Sequence, residues 1–130
     1  MRQYTVENKK AKNSILSFVQ GLKGAPLNIN AARSAARSGV EMKILALDRP
    51  DVRKAAKLWK KAGAKVKLYK AKEPHGLRFN VYDNELVRFT IGRPEVEKSE
   101  EYTTVWIKSK AIAGMCIEYF EEKWKVAIAV

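Results

Sequence analysis

The only histidine of this sequence, His75, lies close to Arg78 and Asp83, and the three form the densest group of chemically useful side chains in the chain. A histidine beside a cation and a carboxylate suits acid–base or phosphate chemistry. However, no serine or cysteine nucleophile has a recognisable sequence context, and a metal would need more ligands. Gly21 and Gly24 also lack the Gly, Lys, Ser/Thr pattern of a phosphate-binding loop. A lone histidine is most often structural, so these residues by themselves favour a structural His75 over a catalytic or metal-binding one.

A second group of residues could contact phosphates through charge alone. Two predicted helices carry basic side chains. On the second helix, none of these side chains has an acidic partner four residues away. The group consists of Arg33, Arg37, Arg53, Lys54, Lys57, Lys60 and Lys61. Such a surface predicts salt-sensitive, sequence-independent binding of nucleic acid, although a solvated helix face explains it equally well. No helix-turn-helix pair, zinc finger or RNP-type aromatic signature is present to read bases.

The overall charge is large and unevenly distributed. The chain has 130 residues, with 26 Lys and Arg against 14 Asp and Glu, giving a formal charge of +12. Residues 1–72 hold 18 basic and 4 acidic side chains, so the excess belongs to the N-terminal half. This asymmetry favours nucleic acid, an anionic membrane surface or an acidic partner, or simply solubility.

The cysteine count and the absence of long apolar runs limit the class of protein. A single cysteine, Cys116, allows neither an intramolecular disulfide nor a zinc-finger site, which indicates a reducing compartment. There is no signal peptide and no run of about 18 apolar residues that would cross a membrane. We expect a cytoplasmic protein with no membrane association, no cofactor and no metal.

Strands and helices alternate in the first half of the chain. Residues 14–20 favour a strand, with a helix as the alternative, and residues 30–38 a helix that ends at Gly39. The apolar run 40–47 is typical of a strand that is covered on both faces, and residues 65–70 alternate as a strand should. A helix that begins at Pro50 and ends before Gly63 connects these two strands. The pattern predicts a parallel sheet with right-handed crossovers.

The second half begins with a predicted β-hairpin over residues 77–91, which turns at residues 83–85. Its register would bury six apolar side chains: Leu77, Phe79, Val81, Val87, Phe89 and Ile91. A mobile loop at 92–101, a last strand at 102–107 and a helix capped by Ser109 follow. We expect the helix to bury a stripe formed by Ile112, Met115, Cys116, Tyr119, Phe120 and Trp124. The apolar segment 126–130 should dock on the core or on a second copy of the chain.

Several of these segments together resemble a known family. Residues 35–45, then a helix, then 63–68 and 77–91 resemble one half of a phospholipase D-like domain. Thr103-Thr-Val-Trp-Ile107 followed by Tyr119-Phe-Glu-Glu-Lys-Trp124 is similar to the end of the phospholipase D-like sensor domain of TrmB-type archaeal transcription regulators. The resemblance implies an α/β fold, a phospholipase D-like half-domain whose mixed sheet has helices on both faces. It also implies a pseudo-two-fold or dimeric arrangement.

The catalytic motif of that family is incomplete here. In the catalytic members each half contributes His, any residue, Lys, four residues and Asp. Counting back from Asp83 places Arg78 at the lysine position and Gly76 at the histidine position. His75 is one place out of register, and on a strand such a shift turns a side chain to the opposite face unless a bulge intervenes. The resemblance therefore argues against phosphodiester hydrolysis.

Three hypotheses follow for residues 14–130, a single α/β domain preceded by a tail or linker remnant at 1–13. The first is a non-catalytic sensor or regulatory domain, linked to transcription regulation, that forms a homodimer and binds a small-molecule effector or a partner. His75, Arg78 and Asp83 would bind that ligand where the strands end. The second is a DNA- or RNA-binding protein that uses the seven basic residues named above. The third is a phosphodiesterase or nuclease assembled across a dimer.

Overall fold

The computed structural model describes residues 12–71, 77–92 and 103–130. His75, residues 1–11 of the predicted tail at 1–13 and residues 93–101 of the predicted loop at 92–101 lie outside the described residues. Seven strands and three helices form the described part, in the order β1 Ser14–Phe18, α1 Pro26–Arg37, β2 Glu41–Leu47, α2 Pro50–Lys61, β3 Lys65–Tyr69, β4 Leu77–Tyr82, β5 Leu86–Ile91, β6 Thr103–Lys108, α3 Lys110–Val126 and β7 Ile128–Ala129.

The strands form one mixed sheet in the order β6-β5-β4-β1-β2-β3-β7. The neighbours β1, β2 and β3 are parallel, and every other pair is antiparallel. Two buried clusters separate the layers: Ile44 packs with α1 and α2 on one face, whereas Leu45 packs with α3 on the other. Because side chains alternate along a strand, the continuous apolar stretch from Ile44 to Leu47 of β2 is what a sheet with helices on both faces requires. The predicted fold class is confirmed.

Two predictions about the N-terminal half had different outcomes. Residues 14–18 are a strand, not the alternative helix, and Ile15 and Phe18 face opposite clusters. The helix expected at residues 30–38 begins earlier, at Pro26. Proline lacks only an N–H that the first turn leaves unpaired, so Pro26 starts this helix rather than breaking the chain. The additional turn buries Ile29 against the sheet.

The β4–β5 hairpin has the predicted register but buries fewer side chains than expected. Leu77 pairs with Ile91, Phe79 with Phe89 and Val81 with Val87. Asp83 and Asn84 form the turn with φ angles of 52° and 61°, values that Asp and Asn tolerate better than most residues. However, Leu77 and Ile91 are 39% and 47% exposed. The expectation that all six side chains are buried is wrong, because α3 covers the half of the hairpin nearer the turn.

Helix α3 begins as predicted, since the Ser109 hydroxyl accepts a hydrogen bond from the Ile112 N–H at 3.1 Å. Cys116 and Phe120 of the expected stripe are buried. Met115 is 72% exposed and Tyr119 40% exposed, so the predicted stripe is too wide. The side of α3 that contacts the sheet is centred on Ala113, Cys116 and Phe120, and Met115 lies about 100° away from Cys116 around the helix axis.

The C-terminal segment docks on its own sheet. Strand β7 pairs antiparallel with β3, with Ile128 opposite Leu68 and Ala129 opposite Lys67. This confirms the expectation that the apolar end docks on the core, although Val126 at the end of α3 remains 82% exposed. The strand covers part of an edge that would otherwise present unpaired backbone groups.

The contrast between two side chains of α3 tests this packing. Phe120 is fully buried and stacks on Trp124 with ring centroids 5.6 Å apart. We expect Phe120→Ala to lower the free energy of unfolding by about 3–5 kcal/mol, because it leaves a cavity. Met115→Ala on the exposed side should change it by less than about 0.5 kcal/mol. Urea denaturation of both variants measures the difference, and equal losses would contradict the orientation of α3.

Candidate functional site

The seven predicted basic residues form one surface, called the basic helical face below. It consists of Arg33, Arg37, Arg53, Lys54, Lys57, Lys60 and Lys61, all of them exposed. The buried sides of α1 and α2 pack on the same face of the sheet, so these side chains project from one layer. The two helices together hold these seven cations and one acid, Asp51.

Three members of the basic helical face form hydrogen bonds with other residues of the chain. The Arg53 guanidinium donates to both carboxylate oxygens of Asp48, at 2.7 and 2.9 Å. These hydrogen bonds lower the pKa of Asp48 below its ordinary value. The Lys60 ammonium donates to the Val130 carbonyl oxygen at 2.7 Å, and Arg33 donates to the Asn30 side chain at 3.1 Å. Cations held in this way are less free to turn toward an external phosphate.

Three lysines of the basic helical face have no opposite charge within ion-pair distance among the residues that the structure describes. Within residues 12–71, 77–92 and 103–130, no ion pair forms on Lys54, Lys57 or Lys61. The opposite layer differs, because α3 carries three lysines and three glutamates, and Glu121 lies 3.7 Å from Lys43. The fold therefore places most of the helical positive charge on one side of the sheet.

Arg78 and Asp83 do not come together. They stand at opposite ends of β4, about 16 Å apart along the strand. Arg78 lies near the edge where the parallel strands end, called the carboxyl edge below, and Asp83 lies where those strands begin. The structure thus separates two of the three residues that were expected to bind one ligand, and the third, His75, lies outside the described residues.

Asp83 instead holds the chain that precedes β1. Its carboxylate accepts hydrogen bonds from the backbone N–H groups of Lys12, Asn13 and Ser14, at 2.7 to 3.1 Å. Partial burial alone would raise the pKa of Asp83, but these N–H groups and the Lys12 charge outweigh it and lower the pKa below its ordinary value. The carboxylate therefore stays ionised in the folded state.

Arg49 and Tyr69, which the sequence analysis did not single out, join Arg78 at the carboxyl edge. The Tyr69 hydroxyl donates to the Val19 carbonyl oxygen at 3.0 Å. Burial raises the pKa of Tyr69, and the nearby Tyr119 adds to this, whereas the charges of Arg49 and Arg78 act in the opposite direction. Arg49 follows β2 and Tyr69 ends β3, and the carboxyl ends of parallel strands lie at one edge of the sheet. The sequence could therefore have predicted that these two residues share this edge.

Polar side chains continue from Arg78 across the sheet face opposite α3. Asn80 donates to the Ser17 hydroxyl at 2.7 Å, and both residues are buried. Arg88 pairs with Asn80 in the register, and its guanidinium lies 5.7 Å from the Trp106 ring centroid. Guanidinium and amide donors suit the binding of an anion.

The described residues hold no group of metal ligands, and their cysteine is buried. Among residues 12–71, 77–92 and 103–130, no three His, Cys, Asp or Glu side chains are grouped as metal ligands. Burial raises the pKa of the Cys116 thiol, which keeps the thiol in the weakly nucleophilic protonated form. Cys116 lies on α3 and packs against the sheet. No helix in these ranges is long and apolar enough to span a membrane.

Comparison with known proteins identifies the fold. No protein-family model matches the sequence, and no curated protein matches it. Among solved structures, the chain is similar to TrmBL2, an archaeal chromatin protein, at 23% identity and a TM-score of 0.72, and the match covers 99% of this chain and 50% of TrmBL2. The chain thus spans half the length of that protein.

Two further solved structures match 99% of this chain and 89% of their own length. Nuc from Salmonella typhimurium, a phospholipase D family member, has a TM-score of 0.80 at 18% identity. NucT from Helicobacter pylori has a TM-score of 0.78 at 11% identity. The chain has the phospholipase D-like fold that its sequence predicted, related to that of TrmB-type proteins.

The role of Asp83 leads to a pH-dependent prediction. We expect Asp83→Asn, which tolerates the same turn, to lower the free energy of unfolding by about 1–2 kcal/mol at pH 7, because hydrogen bonds to an ionised carboxylate are lost. The wild-type pKa is lower when folded, so this contribution is complete above about pH 4 and is lost as the pH falls through the folded pKa. Urea denaturation at several pH values measures it.

A surface carboxylate serves as the control for this experiment. Glu118 is exposed on α3, and Glu118→Gln should change the free energy of unfolding by less than about 0.5 kcal/mol at any pH. If Asp83→Asn lowered the free energy of unfolding as much at pH 3 as at pH 7, the charge of Asp83 would not be the cause of the loss.

Proposed function

We propose that this chain is a non-catalytic nucleic-acid-binding domain that contacts phosphates through the basic helical face. The observation that carries the proposal is the placement of seven cations on one helical layer, with Lys54, Lys57 and Lys61 exposed and outside any described ion pair. These three are the cations best placed to meet a phosphate, because binding would not require another ion pair to break.

The chemistry of this surface supports binding without sequence preference. Lysine ammonium groups act as point charges toward phosphate oxygens and displace condensed counterions from the nucleic acid. Arg37 adds a guanidinium from the neighbouring helix. An α-helix reads bases when its side chains enter a groove, and the exposed sides of α1 and α2 carry few amide side chains for that purpose. The expected affinity is therefore salt-sensitive and similar for different sequences.

The comparisons support the same proposal. TrmBL2 is a chromatin protein whose structure shows a mode of DNA binding, and it shares this fold over half of its length. A phospholipase D-like domain is thus compatible with a protein that works on DNA. For the present chain, the charge distribution described above adds a surface on which such binding can take place.

The sequence at the motif positions supports a non-catalytic role. Gly76 stands where the family's catalytic histidine would be, and Arg78 stands at the lysine position. A guanidinium keeps the ability to bind a phosphate but does not supply a nucleophile or a leaving-group acid. We propose that the fold retains anion binding after losing the reactive group.

A second candidate is the ligand-binding regulatory domain, and the carboxyl edge favours it. Arg49 and Arg78 both act on Tyr69 there, which concentrates positive charge where open α/β sheets bind ligands. His75 precedes Arg78 by three residues and remains a proposed member of this site. A homodimer and a link to transcription regulation belong to the same proposal, and sedimentation equilibrium tests the dimer.

Charge reversal on the basic helical face tests the leading proposal. We expect Lys54→Glu, Lys57→Glu and Lys61→Glu together to weaken binding to a fluorescent duplex by roughly tenfold or more at low salt. The slope of log K against log salt should become shallower by about 3, since three phosphate contacts are lost. Lys60 is left intact because it contacts Val130. Fluorescence anisotropy at several salt concentrations measures both quantities.

The matched control reverses three lysines of α3. Lys110→Glu, Lys123→Glu and Lys125→Glu change the net charge by the same amount on the other side of the sheet. This variant should keep most of the affinity and the salt slope of the wild type. Equal losses in the two variants would show that net charge alone drives binding, and no binding by the wild type at low salt would eliminate the proposal.

Catalysis is tested separately with bis-nitrophenyl phosphate. We expect no hydrolysis above that of a mock purification. Activity that disappears in His75→Ala would overturn the non-catalytic assignment and favour a phosphodiesterase. Activity that is unchanged in His75→Ala would indicate a contaminant.

A further inference from the structure

An apolar cleft lies between α3 and the hairpin, on the sheet face opposite the basic helical face. Its volume is about 410 Å³, within the range of roughly 300–1,000 Å³ that is usual for small-molecule sites. Four aromatic rings line it, those of Phe18, Phe79, Phe89 and Tyr119, and the rest of the lining is aliphatic or contains sulfur. Such a lining favours a ligand with an apolar body.

The rim of the cleft is also apolar. Leu77 is 39% exposed, Tyr119 40% and Met115 72%. Large apolar side chains grouped around a concave surface are uncommon on a protein that binds nothing there. All three are among the side chains whose exposure contradicted the packing expected from the sequence.

Charge decides which apolar ligand the cleft suits. Ile112, Cys116, Tyr119 and Lys123 recur at spacings of four, three and four residues, so they form one stripe along α3. The first three line the cleft, and the Lys123 ammonium lies 5.6 Å from the centroid of the Tyr119 ring. A cation therefore stands beside the cleft, on the same side of the helix.

The other end of the cleft also lies near positive charge. Phe18 stacks on Tyr69 with ring centroids 4.9 Å apart, and the charge of Arg49 at the carboxyl edge acts on Tyr69. Glu121 lies on another side of α3, whereas Glu122 follows Met115 by seven residues and lies on that row of the helix, because each residue advances about 100° around the axis. An anionic group on the ligand would meet favourable potential on the stripe that ends at Lys123.

From this arrangement we propose that the cleft binds a small organic carboxylate, with its apolar body among the aromatic rings and its carboxylate against Lys123. The proposal goes beyond nucleic-acid binding, since it concerns the opposite face of the sheet. The cleft is also a different site from the carboxyl edge, and the variants that test it are different from those that test the basic helical face.

Titration with 1-anilinonaphthalene-8-sulfonate, a fluorescent aromatic anion, tests the proposal. We expect saturable binding at one site, competition by decanoate, and competition by 1-decanol that is about tenfold weaker because the alcohol carries no charge. Lys123→Glu should weaken binding of the probe by about tenfold. Lys125→Glu, the same charge change two residues away on the solvent side of α3, should alter it less than about twofold.

Further measurements exclude trivial explanations. Leu77→Trp, at the exposed rim, should abolish probe binding by filling the cleft while leaving near-ultraviolet circular dichroism otherwise native. Retained near-ultraviolet signals in every variant show that the probe does not report a loosened core. Equal binding by Lys123→Glu and Lys125→Glu, or equal competition by decanoate and decanol, would overturn the proposal. Probe binding that disappears as a dimer forms would also overturn it, because a second copy would then occupy the cleft.

Discussion

The requirement that β1, β2 and β3 bury both faces determines the rest of the structure. Parallel neighbours need crossover connections, and right-handed crossovers between strands taken in sequential order place both connecting helices on the same face. α1 and α2 therefore share one layer, and α3 must cover the other face. The seven cations of the two crossover helices lie on one surface because right-handed crossovers place both helices on the same face of the sheet.

Local patterns predicted local structure well. The Ser109 cap, the hairpin register and the strand character of residues 14–18 depend on neighbours in the sequence, and all three are present. The sequence prediction began α1 only at residue 30, although Pro26 is a favourable first helical residue. The exposure of Leu77 could not be predicted, since it depends on where α3 crosses the sheet.

The candidate sites show the same limit in another form. Arg78 and Asp83 are close in sequence, but the strand between them carries them to opposite ends of the sheet. Arg49, Tyr69 and Arg78 are distant in sequence, and the carboxyl edge brings them near one another. The seven basic residues were found from the sequence because each lies on a helix face. That Arg53 is hydrogen-bonded to Asp48 while Lys54 is exposed depends on the three-dimensional structure.

The Asp83 carboxylate connects two parts of the chain that are far apart in the sequence. A single carboxylate at the tip of the β4–β5 hairpin grips three successive backbone N–H groups, from Lys12 to Ser14. The hairpin tip is therefore tied to the start of β1 by side-chain hydrogen bonds as well as by the backbone pairing of β1 with β4. The far end of the same hairpin, about 16 Å away along β4, borders Arg78 and the apolar cleft, so one strand connects this carboxylate with both candidate ligand regions.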